Sequence, residues 1–426
     1  MRRYIRHVSR TFNSRREYHY STHRFEKKTT KKHQRFDERR RLAKTRIAKR
    51  RDMFRSIVGA RAFASLGNLY SGKKIEEGKT KDDGTSNNTA SSTKSQKSVF
   101  LFTRRRCDGD ATMKKTLGGK GAGLAAMTNL GLRVPPGATL SVSVCKDYLE
   151  KGPEVLEGLN ELIFEAVDVI GEEVSKVFWR KSTDFVGEEL PLLLSVRSGA
   201  EASMPGMMDT VLNLGLNDRV VDALTQTAFT DESKRRFLYD AYRRLLDLFG
   251  DVVFGIPHEH FEKKLRKLKE LKNVQNDVEL NADDLQSLCE AYKDVYEAHE
   301  KTFPEDPQEQ LMLIIEAVFK SWNNPRARVY REVTKTTGLV GTAVNIQAMV
   351  YGNLNEKSLS GVCFTRSPAT GDATIYGEWL QSSQGEDVVA GIRTPERIED
   401  MTKFGFGDAL EELKKTATSS RRPTRT

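Results

Sequence analysis

The chain has 426 residues, 30% of them charged and 38% hydrophobic, which suits two or three domains with a core over part of the length. Its formal net charge of +11 is uneven: residues 1–100 carry 28 Lys/Arg against 9 Asp/Glu, a net of +19, and the rest carries 42 against 50, a net of −8. This speaks against a uniformly basic nucleic-acid binder, the four scattered cysteines form no CxxC pair for zinc or a disulfide framework, and no apolar run reaches the roughly 20 residues of a membrane span.

Residues 1–52 hold 20 Lys/Arg and little that packs, with "RFDERRRLAKTRIAKRR" (35–51) suited to a basic helix. The next stretch, "MFRSIVGARAFASLGNLYSGKK" (53–74), mixes Arg and Ser with apolar residues and meets no acid until Glu76. That is the composition of an organelle-targeting leader, with Met53 as an alternative start. The leader over 1–74 predicts an organelle, mitochondrion before plastid, or the cytoplasm if it is no signal. A plain basic tail or a nucleic-acid-binding arm is the other reading. Residues 75–98 read as a polar, disordered linker.

The folded body is expected from 99 to 402. "VFLFT" (99–103) predicts a strand, and "LGGKGAGLAAMTNLGLRVPPGATLSVS" predicts a glycine turn, a helix from about Ala122 to Asn129, a Pro-Pro-Gly loop and a strand. A helix follows near 155–175. "LLLSVRSGAEASMPGMMDTVLNLGLND" (192–218) reads as strand, loop, strand. From about Asp218 to Val333, apolar residues at three-to-four spacing predict a large helical insertion. Strand patterns return at "TAVNIQAMVYG", "SGVCFTRSP" and "TIYGEWLQS", so the class is α+β. Residues 403–426 read as an irregular tail.

Three stretches bear chemistry. "GGKGAGLAAM" (118–127) puts glycines where a helix begins, so backbone N–H groups and Lys120 can face a phosphate. It is not a Walker A sequence, and a tight turn with a solvated lysine explains it as well. Arg197 ends an apolar strand, which predicts a guanidinium held in place for a bidentate grip on phosphate, followed by a loop of small residues. Met204, Met207 and Met208 in that loop suit a core gap equally, so anion site and structural loop stay level. "GEWLQSSQGEDVVAGIRTPE" (377–396) places Glu378, Glu386 and Asp387 near a strand, ready for Mg²⁺, a ribose hydroxyl or plain solvent. The histidines of "PHEH" (257–260) have no third ligand and read as surface residues.

Together, GGKGAGLAAMTNLGLRVPPG, SVRSGAEASMPGMMDTVLNLGLND, SWNNPRARVYR and GVCFTRSPATG…GEWLQSSQGEDVVAGIRTPE resemble pyruvate, phosphate dikinase, in order from about 99 to 397. The resemblance implies an ATP-grasp-like nucleotide domain, followed in the family by a swivelling phosphohistidine domain and a pyruvate/phosphoenolpyruvate barrel. The family's reaction interconverts ATP, phosphate and pyruvate with AMP, pyrophosphate and phosphoenolpyruvate, using Mg²⁺. The resemblance places Lys120 and Arg197 on the ATP phosphates as catalytic groups and Thr210 in the phosphate-side loop. It places Gln347 along the cleft and Glu386 and Val388 at the adenosine end, and assigns no metal ligand.

Three departures stand out. Glu201 brings a negative charge to the phosphate loop. The family's acidic segment and "LQ" strand after the position of Pro395 have no counterpart, nor do the phosphohistidine and barrel domains. The expectation is therefore an ATP-binding front portion, incomplete at its C-terminus and unable to complete the reaction alone. The alternatives are a non-catalytic nucleotide-binding or regulatory fragment, and a phosphoenolpyruvate synthase-like enzyme.

Overall fold

The structure, a computed structural model, describes residues 97–178, 190–204, 206–391 and 393–420. The leader, the linker up to residue 96 and the last six residues lie outside the described residues.

A five-stranded antiparallel sheet organises the first lobe. It contains β1 (Val99–Phe102), β2 (Gly137–Leu140), β3 (Leu194–Gly199), β4 (Thr210–Leu214) and β5 (Ala343–Ala348), in the order β1-β2-β5-β3-β4. One rung crosses all five strands through Leu101, Ala138, Ile346, Val196 and Val211, every one buried. The next rung runs Phe100, Thr139, Asn345, Arg197, Thr210. Side chains of successive rungs point to opposite faces. One face is therefore apolar, and the other turns polar toward β3 and β4.

Helix α1 (Lys114–Asn129) covers the second face, where Phe100, Leu117, Ala122 and Ala125 form a small core. The apolar face packs on α2 (Val142–Lys151), the single turn α3 (Glu154–Glu157) and α4 (Asn160–Val174), which share its large core. After β4 come α5 (Asp218–Thr227), α6 (Glu232–Phe254), α7 (His258–Lys272), α8 (Ala282–Ala298), α9 (Pro307–Ser321) and α10 (Pro325–Val333). Their ends carry local stop and start signals. Asn217 and Asp231 accept hydrogen bonds from Val220 N and Lys234 N to cap α5 and α6, Asp306-Pro307 opens α9, and Gly255 ends α6 in the left-handed region. Leu311, Ile314, Ile315 and Val318 of α9 belong to the same core as the sheet's apolar face, so the helices extend one core rather than adding another.

A second, three-stranded antiparallel sheet follows: β6 (Leu359–Phe364), β7 (Tyr376–Gln381) and the two-residue β8 (Glu396–Arg397). Between β7 and β8 lies the short α11 (Gly385–Ala390), and α12 (Gly407–Ser420) closes the described chain. Trp379, Ile398, Met401 and Leu410 form this lobe's own core.

Two expectations are corrected. The stretch from 403 was read as an irregular tail, but 407–420 is helical, with Leu410 and Ala417 buried and Leu413 packed against the core. Leu410, Leu413 and Ala417 are spaced three and four apart, one stripe of a helix, which the polar Ser/Thr/Arg end of the sequence masked. The helix after the glycine turn was expected from Ala122. It instead begins at Lys114 and is broken at Gly118, whose φ of 68° interrupts the helix before it resumes.

Candidate functional site

Arg197 does not end its strand, as the sequence suggested. It lies inside β3, flanked by Thr210 on β4 and Asn345 on β5. The register brings Ser195 beside Gln347 on the same polar face. Three of the expected site residues, Arg197, Thr210 and Gln347, thus share one face through strand pairing alone.

Lys120 reaches that face from above, on α1. Gly118 and Gly199 meet at the point of approach. A side-chain carbon on Gly118 would lie 1.5 Å from Gly199 O, and one on Gly199 would lie 2.5 Å from Asn345 Nδ2. The missing side chains let the turn settle on the strand end, where Gly119 N donates to Ala200 O at 2.8 Å. That N–H is consumed in packing, so at Gly119 the turn is a joint rather than a phosphate cradle. Lys120 Nζ then donates to Ser198 O at 2.9 Å, beside Arg197.

Both cationic heads keep solvent access, yet protein surrounds them. Desolvation by these surroundings lowers the Lys120 pKa, and the Arg197 charge lowers it further. The same burial lowers that of Arg197, with Glu386 acting in the opposite sense. Among the described residues no carboxylate forms an ion pair with either cation. The two cations lie close enough for the Arg197 charge to disfavour that of Lys120.

The remaining site candidates are less free. Gln347 Nε2 donates to Pro135 O at 2.9 Å, which ties it to the Pro-Pro-Gly loop. Glu386 opens α11 and accepts from Arg244 Nη1 at 3.0 Å. Val388 is half-buried on the same helix. Glu201 is half-buried and makes no ion pair among the described residues. Met204 is buried whereas Met207 and Met208 are half-buried, so the loop fills core with only the first of them.

Sequence reasoning took Asp209 only as the end of the loop and did not single out Arg244. Asp209 adjoins Thr210, and burial raises its pKa, Arg326 opposes the rise and Asp251 adds to it. Arg244 sits in the "YRRLLDLF" run, where helical periodicity marks core and hides a half-buried cation. Among the described residues no group of three or more His, Cys, Asp and Glu side chains gathers to hold a metal ion.

Residues 114–403 match the family described as pyruvate phosphate dikinase, AMP/ATP-binding domain. Over 319 residues the chain is 53% identical to pyruvate, phosphate dikinase 1, chloroplastic, of Arabidopsis thaliana, covering 75% of this chain and 32% of that protein. It is 52% identical over 322 residues to the chloroplastic dikinase of Flaveria trinervia, and 51% identical over 319 to that of Oryza sativa subsp. japonica, with the same coverage. The chain spans about a third of the length of these relatives. Their names favour a dikinase over the synthase alternative, and the word "chloroplastic" in them overturns the mitochondrial reading of the leader in favour of a plastid. With its glycine turn, paired cations and polar sheet face inside the matched span, the chain belongs to the pyruvate phosphate dikinase AMP/ATP-binding domain family.

Proposed function

We propose that this chain is the nucleotide-binding portion of a pyruvate, phosphate dikinase and that it binds ATP across the polar face of the first sheet. The observation that carries the reading is Lys120 donating to Ser198 O within the field of Arg197, with neither cation ion-paired to a carboxylate among the described residues. In this reading the two cations hold the phosphates and Thr210 supplies a hydroxyl beside Arg197. Gln347 lines the cleft, and Glu386 and Val388 contact the adenosine end. The architecture is that of an ATP-grasp-like domain with its helical insertion over 218–333. Phosphoryl transfer asks a protein mainly for positioning and charge stabilisation, and a strand-held arginine beside a lysine provides both.

In the whole enzyme, ATP, phosphate and pyruvate would become AMP, pyrophosphate and phosphoenolpyruvate, with phosphohistidine and pyruvate-binding domains supplied beyond this span. The present chain alone is expected to bind nucleotide without completing that cycle. Mg²⁺ would arrive with the nucleotide, since an ion held by phosphates needs only one or two carboxylates. The described residues do not fit a protein-built Mg²⁺ site, because Glu386 is engaged by Arg244. The leader suits import into a plastid, as the names of the relatives indicate.

Calorimetric titration of ATP into the full chain tests the reading. Arg197→Ala removes a charge-assisted contact worth about 1.5–3 kcal/mol, so affinity is expected to fall on the order of ten- to a hundred-fold. An Arg197→Ala chain that binds ATP as tightly as the parent would sink the assignment.

A further inference from the structure

Arg244 occupies the junction of the two lobes. It comes from α6, a 23-residue helix whose inner face is buried along its length, so its Cα is firmly placed. Its guanidinium divides among three carboxylates. Nε donates to Asp240 Oδ2 at 3.2 Å, one turn back on the same helix. Nη1 and Nη2 grip Asp387 Oδ1 and Oδ2 at 2.8 and 3.2 Å, a two-pronged contact, and Nη1 also meets Glu386 Oε1 at 3.0 Å. Asp240 is fixed in turn by Arg243 Nε at 2.9 Å and Asn353 Nδ2 at 3.1 Å. The arginine is therefore held on one side by the first lobe and holds α11 of the second on the other.

Helix α11 has only six residues, too few to keep a geometry of its own. Its start is closed by Asp387 Oδ2, which accepts from Gln384 N at 2.9 Å. The carboxylate that caps the helix is thus the one that Arg244 grips. Beside it lies a cavity of 480 Å³ bordered by Leu248, His258, Asp387 and Ala390, so packing does not fill that flank. Glu386, with its side chain 38% exposed, stands between Arg244 and the field of Arg197.

We infer that Arg244 is a positioning residue for nucleoside triphosphate recognition: its grip on Asp387 and Glu386 fixes α11 so that Glu386 faces the adenosine end of a ligand whose phosphates rest on Lys120 and Arg197. This deepens the proposed nucleotide site and rests on it. Arg244 touches no ligand. Losing it frees α11 while leaving the cation pair intact, so the effect falls on the nucleoside and spares the phosphates.

The test compares ATP with inorganic tripolyphosphate, titrated separately into the full chain and into Arg244→Gln. The expected result is a roughly tenfold loss of ATP affinity with tripolyphosphate affinity unchanged, and Arg244→Lys failing to restore it because an ammonium lacks the two-pronged geometry. Hydrogen exchange should rise across 385–390 and stay level in β3 and β5. Asp387→Asn keeps the Arg244–Asp240 pair and carries the test if Arg244→Gln does not fold, with a smaller loss of the same selectivity. Unchanged ATP affinity in both variants overturns the inference, as does an equal loss for ATP and tripolyphosphate. A parent chain that binds tripolyphosphate but not ATP overturns it too, and one that binds neither ligand fails the nucleotide reading itself.

Discussion

Gly118 decides how close α1 comes to the sheet. Its φ of 68° with ψ of 173° is a conformation almost reserved for glycine, which an L side chain enters at a cost of about 1–3 kcal/mol. A methyl group there would also overlap Gly199 O. Gly118→Ala is expected to destabilise the chain by more than the backbone term alone and to lift Lys120 off Ser198. Urea unfolding followed alongside ATP titration should show both losses, and a variant with parental midpoint and affinity would refute the close fit. His258 makes a different kind of prediction. Its Nδ1 lies 2.8 Å from Asp247 Oδ1, and this hydrogen bond raises its pKa, against the desolvation that lowers it, with Glu262 and Asp251 adding to the rise. Because the folded state favours the imidazolium, the stabilisation is complete below about pH 6.5, the ordinary histidine value, and is lost as pH rises through the raised one. The side chain is 60% exposed, so the effect is small. Thermal midpoints should decline gently from pH 6 to 8 in the parent, and His258→Gln should flatten that component of the slope.

Much of this site was legible as residues and little of it as contacts. Lys120 and Arg197 stood out because cations beside glycines and apolar strands have few structural uses. That Gln347 is engaged by Pro135 O, Glu386 by Arg244 and Gly119 N by Ala200 O depends on segments far apart in sequence, which no local pattern encodes.

At the scale of elements, short apolar runs made most strands readable, although those of the first sheet are buried on both faces, and three-to-four spacing marked the helical stretch over 218–333. They failed where a local feature cut across the pattern: the left-handed glycine inside α1, and the polar run that hid α12. Strand β4 contains another such feature. Asn213 takes φ 61° where the register with β3 shifts, and the amide carbonyl so displaced accepts from Gln384 Nε2 at 3.3 Å. The second lobe's sheet rests on Trp379, 2% exposed, whose Nε1 donates to Arg397 O at 3.0 Å and thereby holds β8. Trp379→Ala should cost about 3–5 kcal/mol within that lobe. Hydrogen exchange is expected to show β6 and β7 losing protection while β3 and β5 keep theirs, and uniform loss across both sheets would contradict separate cores.

At the scale of the whole molecule, the described body is two lobes, the first with a large and a small core and the second with its own, joined by one passage of chain between β5 and β6. The elements of the second lobe pack mainly on one another. The junction is built from polar side chains: the Arg244 group, the Asn213–Gln384 contact, and an exposed pair between Arg133 and Glu412 at 2.8 Å. An exposed pair of that kind adds little, so Arg244, its side chain 13% exposed, and its carboxylates carry the junction.

That single passage has a further meaning. Contacts as few as these would be too weak to hold two separate proteins together at ordinary concentrations. The tether between Ala348 and Leu359 keeps the partners in each other's presence at an effective concentration on the order of millimolar. Exposed Lys357 lies within that tether. A nick there would break no core and disturb only the local turn around Asn355, yet it would turn an internal equilibrium into a bimolecular one, and dilution alone would then part the two halves.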